Sequence, residues 1–346
     1  MWNKTTNSIA LKKGKAKRSA PWQILLKGLL FLLLLYLIYR QLIARDNLTA
    51  MWMTFQQQLS WSQAPWLLAA ILLMPLNWAL ETLKWQNLIR SFEPQMSFSR
   101  AYQAIFSGVT LSVFTPNRIG EYGGRILFVR PENNWKAVIA TLVGSFSQLL
   151  VLLGMGLLGM TYFIGQYIGM EGYLLFGMLS LGALLIAVLF LCFYQIDLLI
   201  PLAKRLPFID RLKPFARHIL LLREYESATL SRVLKYAFFR YLVYATQYLL
   251  LMAFFGIELP WLAGLSGVAT IFLLQTSIPL PPMIGLVSRG NIALFIWGMF
   301  SSNELAILAA TFGLWILNLV IPALIGTVFM LNTNVLKSLG YEHWKT

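Results

Sequence analysis

Residues 111–130, LSVFTPNRIGEYGGRILFVR, set Arg118, Glu121 and Arg125 among Pro116, Gly120, Gly123 and Gly124. Arginine carries a planar fork of donors that fits a phosphate or a carboxylate. Thr115 or Asn117 can cap a helix starting near Arg118. The free N–H groups and partial positive charge of such a helix start would face the same ligand. The residues predict an anion site made by Asn117, Arg118, Glu121 and Arg125. The three glycines would let a neighbouring helix, or the ligand, approach the backbone closely. A plainer reading stays open for Glu121 and Arg125. They stand four apart with the acid first, the favoured order for a helical ion pair, and could neutralise each other. Arg118 has no such local partner and is the better candidate of the two arginines.

A second stretch, 277–291, reads SIPLPPMIGLVSRGN and offers Ser288 and Arg289 behind Pro281, Pro282 and Gly285. No acidic residue stands near Arg289 in sequence. It calls for a partner from elsewhere, such as Glu121, or for an anionic ligand. The other polar candidates read as structural. Glu81 and Lys84, three apart, suit an interfacial pair. Arg240 would lie one turn inside its helix and snorkel to the surface. Gln148, Gln247 and Gln275 suit interhelical hydrogen bonds.

The elements that must carry these residues are membrane helices. Hydrophobic residues make up 58% of the chain and charged ones 12%, about half the charge of a soluble domain. Six stretches are long enough to span a bilayer: 22–43, 65–83, 137–163, 173–194, 236–256 and 305–330. Residues 101–129 and 262–300 are apolar too, but proline, glycine and charge break each in the middle. Each half is shorter than the ~20 residues a crossing needs. The economical reading is two re-entrant helical hairpins, the first turning at Thr115, Pro116 and Asn117. Charges at such tips are costly unless they face protein or water, so they mark function by default.

The basic residues give the orientation. With a cytoplasmic N-terminus, 22 of the 28 lysines and arginines fall on inside segments or at the inner mouth of the first helix. Arg118, Arg125, Arg240 and Arg289 lie at membrane depth. This is a strong positive-inside bias. The net charge of +15 therefore needs no nucleic acid and reads as attraction to anionic lipid heads. The layout predicts an all-α polytopic membrane protein of six transmembrane helices plus two hairpins. A basic tail, 1–21, and a tail, 331–346, would both be cytoplasmic, on the inner-membrane side. A single transmembrane domain, 22–330, would hold two halves, 22–163 and 173–330, inverted relative to each other. The spacing of Pro116, Ile119 and Gly120 recurs in Pro281, Ile284 and Gly285. Broken helices at matching places in inverted halves point to a midplane binding site. Residues 195–235 read either as an amphipathic surface helix or as an ordinary cytoplasmic connector.

Some chemistries are excluded. One cysteine, Cys192, and two histidines, His218 and His343, give no disulfide framework and no metal cluster. There is no nucleophile elbow and no Gly-Lys-Ser phosphate loop, so no catalytic residues, metal or cofactor are expected.

The segment from Thr115 to Arg125, TPNRIGEYGGR, resembles the signature of the lysylphosphatidylglycerol synthase/flippase transmembrane family. The stretch from Ser277 to Gly290 resembles that family's second motif, and the likeness covers 22–330. It implies the transmembrane half of a multiple peptide resistance factor, which flips aminoacylated phosphatidylglycerol while a separate cytoplasmic domain transfers the amino acid. The chain ends at Thr346, so a stand-alone translocase-type module is expected. The family's second motif usually carries an acid near its end, whereas Ser288, Arg289 and Gly290 stand here. That departure argues for a plainly anionic lipid and against lysylphosphatidylglycerol.

The expected ligand is thus the headgroup of an anionic or lipid-linked membrane lipid, held through Arg118, Arg125 and Arg289. Three functions compete: a lipid translocase, a membrane enzyme or accessory of lipid modification, and a subunit without transport. A lipid-modifying enzyme and a second copy of the chain are the candidate protein partners.

Overall fold

The computed structural model describes residues 53, 56, 61–113, 115, 118–195, 225–277 and 282–331. The expected first span, 22–43, both tails, Pro116, Asn117 and Pro281 lie outside them. Ten α-helices and no strands make up the described residues. Five helical stretches are long and apolar enough to cross a membrane: Trp61–Ile89, Pro131–Ile168, Gly172–Tyr194, Ser227–Phe254 and Glu304–Leu331. They coincide with five of the six expected spans. The protein is an all-α, polytopic integral membrane protein.

The first long helix, α1, runs Ala64–Ile89 and admits Pro75 in its interior. At its end the Gln86 side chain donates to the Met96 carbonyl at 2.8 Å, folding the chain back. Ser97 then accepts the Arg100 amide at 3.2 Å and starts α2, Phe98–Val113. A bend leads into the short α3, Gly120–Ile126. The far ends of this pair are tied together. Arg130 Nε lies 3.1 Å from both Glu93 oxygens, and Asn133 Nδ2 donates to Glu93 Oε1 at 2.8 Å. The chain therefore leaves α3 where it entered α2.

Glycine makes this pairing close. A Cβ on Gly120 would lie 2.2 Å from the Leu111 carbonyl oxygen, and one on Gly124 would lie 2.4 Å from that of Ser107. Any larger residue would part the two backbones. Gly123 faces away from that contact, its Cβ position 3.8 Å from the Leu111 side chain.

The long helices α4, Asn134–Phe163, and α5, Gly172–Tyr194, follow. Next comes α6, Ser227–Phe254. The described end of the expected 195–235 loop is thus the first turns of a span. Helices α7, Trp261–Ser277, and α8, Pro282–Trp297, form a second broken pair. The last span joins α9, Glu304–Trp315, to α10, Ile321–Leu331, through a wide π turn, Ile316–Val320.

Helix α1 lies along α6; α7 packs on α4, and α2 on α10. Polar side chains pin these contacts. Thr110 Oγ1 donates to the Ala323 carbonyl at 2.7 Å. Asn77 Nδ2 donates to Asn318 Oδ1 at 2.6 Å, and Asn318 Nδ2 donates to Gln247 Oε1 at 3.1 Å. Gln247 is the interhelical partner that its type predicts. The outer end of α8 is held by Trp297 Nε1 donating to the Tyr248 hydroxyl at 3.1 Å. Apolar cores built on Trp85 and Phe106 in one half, and on Tyr248 and Trp297 in the other, flank this polar middle.

Candidate functional site

The first tip is built by Thr115. Its hydroxyl donates to the Leu111 carbonyl at 3.0 Å and accepts the Gly120 amide at 2.7 Å. Thr115 is thus the cap that the sequence offers. It also consumes the leading amide of α3, which is seven residues long. That amide is committed to Thr115, and the formal charge at the tip comes from side chains. Arg118 sits just ahead of α3 with φ 58°. Left-handed backbone at an arginine is strained and marks a position the fold over-determines.

That conformation turns Arg118 toward its own helix. Its Nη2 lies 3.4 Å from Glu121 Oε2, while the side chain stays 55% exposed. The expectation that Arg118 lacks a local partner is corrected: three residues of helical spacing suffice. Arg125 is the opposite case. It is 2% exposed and bridges two carboxylates, Glu121 and, at 3.1 Å, Glu81 Oε1. Its guanidinium also lies 5.8 Å from the Trp85 ring centre. Arg125 is a buried brace that meets both carboxylates through Nη2.

Glu81 is the hub of this network. Lys84 Nζ lies 2.7 Å from Oε2, and Arg240 Nε lies 3.4 Å from the same oxygen. Lys84 is 1% exposed. Glu81 and Lys84 thus form the expected pair, but within the protein interior. Burying a carboxylate among three cations is tolerable because each partner offsets the desolvation of the others.

Arg240 also departs from expectation. Helix α6 starts at Ser227, so Arg240 stands at its middle, ~20 Å from its start at 1.5 Å per residue. It cannot snorkel from there. It bonds Gln148 Oε1 at 3.3 Å and stacks 5.4 Å from the Trp78 ring centre.

A cavity of about 320 Å³ opens between the two broken pairs. Arg118 enters it from the first tip, Gly285, Ser288 and Arg289 from α8, and Arg240 with Gln148 from the long helices. Trp78, Tyr241, Tyr244, Phe272 and Trp315 supply its apolar wall. Gln275 and Asn318 face it as well, Asn318 because the π turn offers it there. Among the described residues, no carboxylate lines the cavity and none lies within ion-pair distance of Arg289. Glu121 and Glu81 stand behind the wall and hold Arg118 and Arg240 from outside. Of the expected site residues, Arg118, Ser288 and Arg289 meet in the cavity, with Gly285 at its edge. Arg125 and Glu121 support it; Gly120, Gly123 and Gly124 serve the α2–α3 pair.

Arg240 and Gln148 were read from sequence as structural residues, and the aromatic wall was not singled out. Their signal was present: a fourth arginine at membrane depth facing Trp78 and Glu81. Chemically, the arrangement gathers three guanidinium groups beside apolar and aromatic surface, a combination that suits an anion. Among the described residues, no three His, Cys, Asp or Glu side chains gather to hold a metal ion.

No curated protein matches the sequence. The model of one family, described as the lysylphosphatidylglycerol synthase TM region, matches residues 24–328. That stretch contains both broken helix pairs, the Glu81 network and every residue of the cavity, and it makes the chain a member of the lysylphosphatidylglycerol synthase TM region family.

Proposed function

We propose that this chain is a membrane-embedded module of lipid modification. It binds the anionic headgroup of a phospholipid or lipid-linked intermediate between its two broken helix pairs and presents it to a modifying enzyme. The observation that carries the reading is the meeting of Arg118, from one pair, and Arg289, from the other, in a single cavity without a lining carboxylate among the described residues. Convergent arginines beside apolar and aromatic surface suit a phosphate that remains attached to a lipid. The family description favours a role in lipid modification.

A second reading, translocation of the same headgroup, is favoured by a different observation. The contacts of the halves are exchanged: α7 of one packs on α4 of the other, and α2 on α10. That pattern suits inverted repeats with re-entrant hairpins, the architecture of alternating access. Under either reading the protein lies in the cytoplasmic membrane with six spans and both termini inside.

The test is reconstitution of the full chain with anionic and zwitterionic lipids, beside Arg118→Ala. Selective retention of anionic lipid, lost in the variant, is expected. Leaflet exchange lost in the same variant would select translocation. Equal retention of both lipid classes would overturn headgroup binding.

A further inference from the structure

The wall of the cavity and the charges behind it form one electrostatic unit whose sum is not neutral. Arg118, Arg240 and Arg289 line the cavity. Behind them stand Arg125 and Lys84, ion-paired to Glu81, and Arg125 again to Glu121. Five cations against two carboxylates leave a formal excess of three positive charges among the described residues. The excess is not evenly spread. Arg118 and Arg240 each have a carboxylate at 3.4 Å, whereas among the described residues Arg289 has none within ion-pair distance. Uncompensated charge inside a membrane protein is costly, so the ligand that fits best brings the charge that is missing.

A phosphodiester headgroup carries one negative charge and would leave two positive charges over. A lysylated headgroup is net cationic and would add to the excess, and one carrying a neutral amino acid is net neutral and would leave it whole. A phosphate monoester carries between about one and a half and two negative charges near pH 7, because its second ionisation lies near pH 6, and it presents three acceptor oxygens. A diphosphate brings more. Three arginine forks around one cavity match three terminal oxygens better than the two of a diester.

Resting on the headgroup-binding reading above, we propose that the site selects a terminal phosphate, a phosphomonoester or diphosphate at the end of a lipid. Arg289 is the residue that distinguishes it from a phosphodiester. Arg118 and Arg240 read any phosphate, and Arg289 reads the additional charge.

The experiment is competition against labelled phosphatidic acid bound to the full chain in detergent. The competitors are unlabelled phosphatidic acid, farnesyl diphosphate, phosphatidylglycerol, phosphatidylethanolamine and inorganic phosphate. Phosphatidic acid and farnesyl diphosphate should compete at least tenfold better than phosphatidylglycerol. Affinity for phosphatidic acid should rise between pH 5 and pH 7.5, as the ligand ionises, while that for phosphatidylglycerol stays flat. Arg289→Gln should erase the tenfold preference but keep weak binding of both lipids, and Arg289→Lys should restore part of it.

Phosphatidylglycerol competing as well as phosphatidic acid would overturn the terminal-phosphate inference and leave anionic headgroup binding standing. A preference unchanged in Arg289→Gln would overturn the role of Arg289. Inorganic phosphate competing as well as the lipids would overturn the lipid as source. Equal competition by phosphatidylethanolamine would defeat this inference and the headgroup reading together.

Discussion

Arg240 and Glu81 meet at 3.4 Å, Nε to Oε2, across the contact between α6 and α1. The same carboxylate takes Lys84 from its own helix and Arg125 from α3. One side chain therefore fixes the relation of three helices and sets where an arginine of the cavity wall can point.

Removing that charge should be severe. Glu81→Gln leaves Lys84 buried without a carboxylate and Arg125 with one instead of two. Breaking a buried pair in this way costs about 3–5 kcal/mol. A lowered unfolding temperature in detergent is expected. Arg240→Gln should cost less, because Arg240 is only half-buried and its loss relieves Glu81 of one of three partners. In the double variant the two effects should fall short of additive. Full additivity would mean that the pair does not couple α6 to α1.

The glycines of the first pair make opposite predictions. Gly124→Ala puts a methyl group 2.4 Å from a backbone oxygen of α2, and overpacking of that kind costs about 1–3 kcal/mol. Gly123→Ala, with only a side-chain contact at 3.8 Å, should leave stability unchanged or raise it slightly through helix propensity. Thermal unfolding of the two variants side by side checks the register of α2 on α3. Equal effects would contradict it.

The clasp that joins the far ends of that pair is sensitive to acid. Burial alone would push the Glu93 carboxyl up, but hydrogen bonds from Arg130 and Asn133 outweigh it and hold the group below the usual carboxylate range. A depressed folded-state value means that the unfolded chain takes up its proton first. The stabilisation is whole above about pH 4.3, the ordinary glutamate value, and fades as pH falls through the lower, folded value. Unfolding temperature between pH 3 and pH 6 should fall more steeply toward acid in the parent than in Glu93→Gln. Parallel curves would remove the clasp from the account.

Sidedness can be read on a Cys192→Ser background. Glu132 and Ser302 are both exposed. A cysteine at position 132 should react with an impermeant reagent only from the cytoplasmic side, and one at 302 only from the opposite side. Labelling of both from one side would overturn the arrangement of the two broken pairs.

The five described spans were legible because an apolar run of bilayer length has one economical use. The breaks at 113–120 and 277–282 were legible because proline, glycine and arginine have no place in a lipid-facing helix. Arg118 and Arg289 could be grouped in advance because charge at membrane depth is costly and marks function by default. Arg240 could not be placed correctly from a helix assumed to start at 236. The first turns from Ser227 carry Arg232 and Lys235 and read as loop, so an arginine at the middle of α6 was assigned to its edge. Glu81 and Lys84 formed a self-sufficient pair on paper. Nothing local announced that Arg125 and Arg240, from distant parts of the chain, would converge on the same carboxylate.

Helix α5 presents Phe176, Leu181, Leu184, Leu185, Val188 and Leu191 outward, and none of its most apolar window is buried against the protein. Its 23 residues measure ~35 Å at 1.5 Å per residue, against a hydrocarbon layer of ~30 Å. A helix of that length spans the layer with some tilt to spare, and α5 packs on α4. Helix α4 in turn carries Gln148, the hydrogen-bond partner of Arg240. An unbroken line of contacts thus runs from the exposed face of α5, through α4, to a cation in the cavity wall.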